Sequence, residues 1–286
     1  MAASSATDKL TGEEHSSAFG RLLRFWRRVL GISQATLAAS LETSPRHLSF
    51  LETGRSNPSR SMVNRLAGEF ALNERDHNAL LVAAGFTPAL AELDLAAPAQ
   101  RHLRRMLKLV LEKQEPYPAV ILDRCGNIKL CNQALLDLFG CYLDKERLQP
   151  PLNLYQLYFS EQGLRPFIQG WETTARHTLF LLQQELLLTG DPALAQLFGD
   201  LCSYPGVPRD WALRVKDEQV DSSYAVRLKV TEAWQSNCVA VVTALDPMQG
   251  GRPNLLMHSF YPADEITRGH WETAVAAKPQ AHPLLP

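Results

Sequence analysis

Between Ala18 and Gly85 the chain is cut into short segments by residues that start or stop helices, and segments this short are stable only when packed on one another. Phe19, Leu22, Leu23, Trp26, Val29 and Leu30 recur at helical spacing around Ala18–Val29, with arginines on the opposite face, and Gly31 ends the run. Ser33 is placed to cap a second helix, Gln34–Leu41, which turns Leu37, Ala38 and Leu41 inward. Ser44 caps a third with Pro45 at its first position; Leu48 and Leu51 form its buried stripe and Gly54 stops it. A fourth begins at Pro58-Ser59, with Ser59 as cap and Met62, Val63, Leu66, Ala67 and Phe70 as its apolar face, and a fifth spans Glu74–Ala84 before Gly85. The pattern predicts an all-α unit of five helices over 16–87, in which a tight turn joins the second to the third. The third then offers Arg46, His47, Ser49 and Phe50 outward.

The full length of 286 residues accommodates a second domain of comparable or larger size. No apolar run approaches the roughly 18 residues that suggest a membrane span, and Met1–Leu10 lacks the basic start and apolar core of a secretory signal, so a cytoplasmic protein with no membrane contact is expected. The five cysteines, Cys125, Cys131, Cys141, Cys202 and Cys238, are odd in number and form no C-x-x-C pair. They read as reduced, mostly buried thiols with no metal site, a redox role for Cys125 and Cys131 being the lesser alternative. The net charge of −1 hides a local excess. From Ser16 to Leu90 nine arginines stand against five acids and no lysine, and the planar guanidinium suits phosphates and guanine edges.

The runs Ser33-Gln-Ala-Thr-Leu-Ala38 and Ser44-Pro-Arg-His-Leu-Ser-Phe-Leu-Glu-Thr-Gly-Arg-Ser-Asn-Pro-Ser59 resemble the Xre-type helix-turn-helix shared with lambdoid phage repressors. The resemblance implies a lambda-repressor-like head that binds double-stranded operator DNA as a homodimer, with the third helix in the major groove. Carried over by position, Arg46, His47, Ser49 and Phe50 meet base edges, Arg46 on guanine. Gln34, Ser44, Arg55, Ser56, Asn57, Ser59 and Arg60 fall on or beside backbone phosphate. Two positions depart from the family. Glu42 occupies the turn where glycine is common, which predicts a slightly altered turn. Phe50 replaces a polar reader and is open between contacting a thymine methyl and packing locally.

After Thr87 the composition turns to Ala and Pro, and Arg101–Glu112 is amphipathic through Leu103, Met106, Leu107, Val110 and Leu111. That helix either connects the two domains, pairing with its twin in a dimer, or docks on a core; the expected linker spans 88–114. Ala119–Asp123 and Ile128–Asn132 flank a turn at Gly126-Asn127 and read as a hairpin feeding a short helix, Gln133–Phe139, with Asn132 as its cap. Helical stretches follow at Leu152–Phe159, Leu164–Leu188 and Asp191–Cys202. Tyr224–Val230, Cys238–Leu245 and Leu255–Tyr261 then read as strands, so a sheet carrying helices on one side is implied.

Glu115-Pro-Tyr-Pro118, Gly163-Leu-Arg-Pro166 with Trp171, Asp191-Pro-Ala193, Tyr204-Pro-Gly206 and Phe260-Tyr-Pro-Ala-Asp-Glu265 are similar to the pattern of the PAS-like ligand-binding domain of MmyB-like transcription regulators. The resemblance implies an α+β sensor over 115–272 that holds a hydrophobic small molecule, a fatty acid or similar lipid, in place of a cofactor. The Trp171–Leu188 helix carries more large apolar residues than one face requires, which permits a pocket around Phe167, Trp171 and Leu179. Arg165, Arg176 and His177 are the nearest candidates for a carboxylate head. A protein-interaction module without a ligand is the alternative. No nucleophile elbow, metal-binding His pair, Walker loop or dinucleotide fingerprint occurs, and no enzyme is suggested. Residues 1–15 are expected to be disordered and 273–286 to form a flexible tail.

Overall fold

In the first unit every expected helix start is realised by a side-chain cap. The structure is a computed structural model that describes residues 17–88, 93–212, 223–231, 234–245, 254–274 and 282–285; the expected disordered start lies outside them. The Oγ atoms of Ser17, Ser33, Ser44 and Ser59 accept from backbone N–H groups of Gly20, Thr36, His47 and Met62. They open α1 (Ala18–Val29), α2 (Gln34–Ser40), α3 (Pro45–Thr53) and α4 (Arg60–Glu69). Asn73 does the same for α5 (Glu74–Ala83) through Asp76. Phe19, Leu23, Leu37, Leu48, Leu51, Leu66 and Leu80 close one core, each such burial contributing roughly 1.5–3 kcal/mol. Gly20 lets α1 approach α3, because a Cβ there would collide with the Glu52 carbonyl.

The turn between α2 and α3 keeps the backbone that favours glycine: Glu42 has φ +47°. Glu42 holds this left-handed conformation at a cost to an L-residue of roughly 1–2 kcal/mol.

The chain divides into two units, the second beginning at Glu92. Its sheet is antiparallel throughout, in the order β2-β1-β5-β4-β3. The strands are β1 (Ala119–Asp123), β2 (Ile128–Cys131), β3 (Ser223–Thr231), β4 (Trp234–Ala244) and β5 (Leu255–Pro262). Between β2 and β3 the chain forms α7 (Gln133–Gly140), α8 (Leu154–Phe159), α9 (Trp171–Thr189) and α10 (Pro192–Ser203). Asn132 caps α7 as expected. Its Oδ1 accepts from Leu135 and Ala119 while its Nδ2 donates to the Tyr117 carbonyl, which also ties the hairpin to the helix.

Alternation along the strands sorts two cores. Val120, Leu122, Val226, Leu228, Cys238, Ala240 and Phe260 face the helices α7–α10, whereas Ala119, Ile121, Leu130, Leu255 and Met257 face α6 (Arg101–Gln114) through Leu107 and Leu111. The sheet is therefore covered on both faces, not on one. The helix read as a connection docks on this core. Met106, Leu109 and Val110 remain exposed on its other side.

Two further expectations are corrected, and one element had not been expected. A final helix, α11 (Glu265–Ala274), was not legible. The helix expected from Leu164 starts at Trp171, after a 3-10 turn at Arg165–Phe167 and Gly170 at φ +68°. The tail is anchored at 282–285: Leu284 is buried, its carbonyl accepts from Cys131 N–H at 2.9 Å, and His282 Nε2 bonds the Leu148 carbonyl at 2.9 Å.

Candidate DNA-reading surface and ligand site

Helix α3 is fixed from beneath by one carboxylate. Glu52 is 2 % exposed and receives Arg27 Nε at 2.6 Å and Nη2 at 3.2 Å, Arg24 Nε at 3.5 Å, and Gln34 Nε2 at 2.9 Å. Burial pushes its carboxyl up, yet the hydrogen bonds from Arg27 and Gln34 and the charges of Arg27 and Arg24 outweigh this and hold it below the usual range. Three helices thus meet at Glu52. Gln34, expected on phosphate, spends one amide hydrogen on this bond.

On the outer side Phe50 lies half-buried between two cations, with Arg46 at 5.3 Å and Arg55 at 6.0 Å from its ring centre. The phenyl face attracts both guanidinium groups and restricts their rotamers, so Phe50 packs locally and orders its neighbours. Arg46 is exposed, and His47 and Ser49 are half-exposed beside it. Ser44 and Ser59 use their hydroxyls as the caps of α3 and α4, the second at the end of the 54–59 loop. Arg55 and Asn57 are exposed and Ser56 half-buried in that loop. Arg60 differs: its guanidinium stacks on Phe86 at 5.4 Å and donates to the Thr87 carbonyl.

In the second unit the residues expected around a carboxylate head are engaged to different degrees, and Arg176 keeps an enclosed Nε without a hydrogen-bond partner among the described residues. Arg165 stacks on Trp171 at 3.9 Å, donates to the Pro205 carbonyl at 2.6 Å and pairs with Glu161. Arg176 pairs with Asp210 at 3.6 Å. Phe167 packs on Tyr142, and His177 is half-buried. Trp171 is buried and donates from Nε1 to the Tyr158 carbonyl at 2.8 Å. Leu179 is fully buried with Ala175 and Leu182. The apolar surplus of α9 lies outward, where Leu181, Leu187 and Leu188 are exposed.

A polar cluster that sequence reasoning missed lies inside. On the inner face Tyr224 of β3 reaches across β4, over Ala240, to His258 of β5, and its hydroxyl bonds His258 Nδ1 at 3.0 Å. Tyr158 of α8 stands beside Tyr224, its hydroxyl enclosed but short of good hydrogen-bond geometry. Burial pushes Tyr158 and Tyr224 up and lowers His258 to about 4, so all three are uncharged near neutrality. His258 shares strand alternation with Leu256 and Phe260; a titratable residue on an apolar row was the available signal. Cys131 is buried and pushed up to about 12 by desolvation, then by Glu115, which leaves it without the thiolate a redox sensor needs.

The model of the MmyB-like transcription regulator ligand binding domain matches residues 103–272, more than half of the chain. The chain belongs to the MmyB-like transcription regulators. A helix-turn-helix domain model matches residues 18–93, so this MmyB-like regulator joins a DNA-binding head to a ligand-binding domain, and neither match is to an enzyme family. No curated protein matches the chain. Among the described residues no helix is long and apolar enough to cross a membrane, and no group of three potential metal ligands occurs.

The stretches that carried the resemblance turn out to build the scaffold. Glu115 accepts from Gln133 and Ala134 at the start of α7. Gly163 lets the chain close on Leu157, where a Cβ would strike the carbonyl. Arg165, Trp171 and Pro205 form the clamp described above. Asp191 caps α10, and Asp264 binds both Thr267 at the start of α11 and Asn237 of β4.

Proposed function

We propose that this MmyB-like regulator is an Xre-type, sequence-specific operator-binding protein that acts as a cytoplasmic homodimer and answers to a hydrophobic small molecule of the lipid class. The observation that carries the DNA reading is the α3 surface. Arg46 stands exposed on a helix locked by Glu52, with Phe50 holding Arg46 and Arg55 on one side. Arg46, His47, Ser49 and Phe50 form the base-facing set, and Ser44, Arg55, Ser56, Asn57 and Ser59 the backbone-facing set, with Gln34 sharing its amide between Glu52 and phosphate. Arg60 is assigned to the head's own packing.

Sensing is supported by the inner core, where large apolar side chains from α8–α10 surround enclosed polar groups, the composition of a small-molecule site. A ligand that prefers one arrangement of this domain shifts the population of heads able to engage two half-sites. The exposed row Met106, Leu109 and Val110 of α6 supports pairing with a second copy. Native mass spectrometry of the purified protein, with gel-shift assays on a selected operator, tests both parts. A copurifying lipid whose removal changes operator affinity is expected. An empty domain that captures a protein partner instead would replace the sensor reading.

A further inference from the structure

The inner row of β4 is made of small residues. Ser236, Cys238 and Ala240 follow one another on the face turned to the helices, flanked by Val226 and Leu228 on β3 and Phe260 on β5. This row spans about 14 Å at the strand rise per residue. At one end the Ser236 hydroxyl is 1 % exposed with no hydrogen-bond partner among the described residues. At the other stand Tyr158, Tyr224 and His258. An enclosed hydroxyl without a good partner gives up its hydration with nothing in return, so a core that served packing alone would favour phenylalanine at Tyr158 and alanine at Ser236. No arginine or lysine is buried among the described residues; Arg165 is committed to Pro205 and Glu161, and Arg176 to Asp210 with its Nε enclosed, but neither acts on Tyr158, Tyr224 or His258, which feel burial and their tyrosine and cysteine neighbours.

We propose that Tyr158, Tyr224 and His258 form the head-group site of the ligand, and that it selects an uncharged hydrogen-bonding head, a hydroxyl or carbonyl, on an apolar body that lies along the small residues of β4. This rests on the reading of the second domain as a sensor of a hydrophobic small molecule. The reason is electrostatic. A carboxylate brought among neutral tyrosines and a neutral imidazole, on which no arginine or lysine of the described residues acts, loses its hydration without gaining a counter-charge. A hydroxyl loses far less on burial and regains it by donating to or accepting from the Tyr158–Tyr224 pair.

The full-length protein, stripped of copurifying lipid, is titrated calorimetrically at pH 8 with 1-dodecanol and with dodecanoate. Dodecanol is expected to bind at least tenfold more tightly. Tyr158→Phe and Tyr224→Phe each weaken dodecanol binding roughly three- to tenfold and leave dodecanoate unmoved, with circular dichroism confirming the fold. Should Tyr224→Phe fail to fold, Tyr158→Phe and the wild-type ratio decide. Dodecanoate binding as tightly as dodecanol, or alcohol binding indifferent to both variants, overturns the head-group assignment and leaves the sensor reading standing. Binding of neither probe overturns both.

Discussion

Replacing Glu52 by glutamine keeps the shape of the network under α3 and removes its carboxylate charge. Arg27 and Arg24 are 16 % and 19 % exposed, so after the substitution two largely enclosed guanidinium groups lose the carboxylate they share. Breaking a buried pair costs about 3–5 kcal/mol; partial exposure of both arginines lowers this to roughly 2–4 kcal/mol. The head is then expected to open more often, with amide exchange in peptides covering α1–α3 accelerated on the order of 30- to 1,000-fold, while peptides of the second domain are unchanged. The effect carries a pH signature. The folded carboxyl titrates below its unfolded value near 4.5, so its contribution is complete above that pH and is lost as pH falls through the folded value. Wild-type protection of α1–α3 therefore falls only below about pH 4.5, while that of Glu52→Gln changes little there. Exchange in the variant within threefold of wild type at pH 7 would refute the reasoning.

Arg46→Ala is expected to lose about 1–3 kcal/mol of discrimination at one base pair of a selected operator, whereas Arg55→Ala weakens all sequences alike and lowers the salt slope by about 0.9; equal losses on matched and mismatched sites for Arg46→Ala would remove it as a reader. Glu42→Gly relieves roughly 1–2 kcal/mol of left-handed strain and costs about 0.5–1 kcal/mol of chain entropy. Thermal melting should therefore show a small net gain in head stability, and a loss would mean that the Glu42 side chain stabilises the turn. Leu111→Ala empties a fully buried position between α6 and the sheet, and urea titration of the second domain should show a loss of about 2–5 kcal/mol. A loss under 1 kcal/mol would mean that α6 contributes little to that core.

The head was legible almost residue by residue because its determinants are local. A serine three residues before an N–H that needs an acceptor, a proline at a first helical position and a glycine past a last one are readable without knowing what packs where. The outward set Arg46, His47, Ser49 and Phe50 followed from helical periodicity alone. The hairpin and the Asn132 cap were legible for the same reason. The early strand start at Trp234-Gln-Ser236 and α11 were not, since they are fixed only across the fold: strand pairing sets Ser236 opposite Leu228, and Asp264 bonds Asn237.

Local pattern was enough to set the punctuation of the head, the periodicities of the ligand-binding domain and the residues on each face of most elements. Which charged residues have charge left to offer emerged only from packing. Arg165, Arg176 and Arg60 look alike in sequence to Arg46 and Arg55, yet the first three are drawn to a carbonyl, a carboxylate or a ring by neighbours that are distant in the chain. Tyr158, Tyr224 and His258, scattered over 100 residues of sequence, become one neutral cluster because strand order β5-β4-β3 and the placement of α8 bring them together. Charge and hydrogen-bonding capacity depend on what lies within a few ångströms in space, and local sequence does not record that distance.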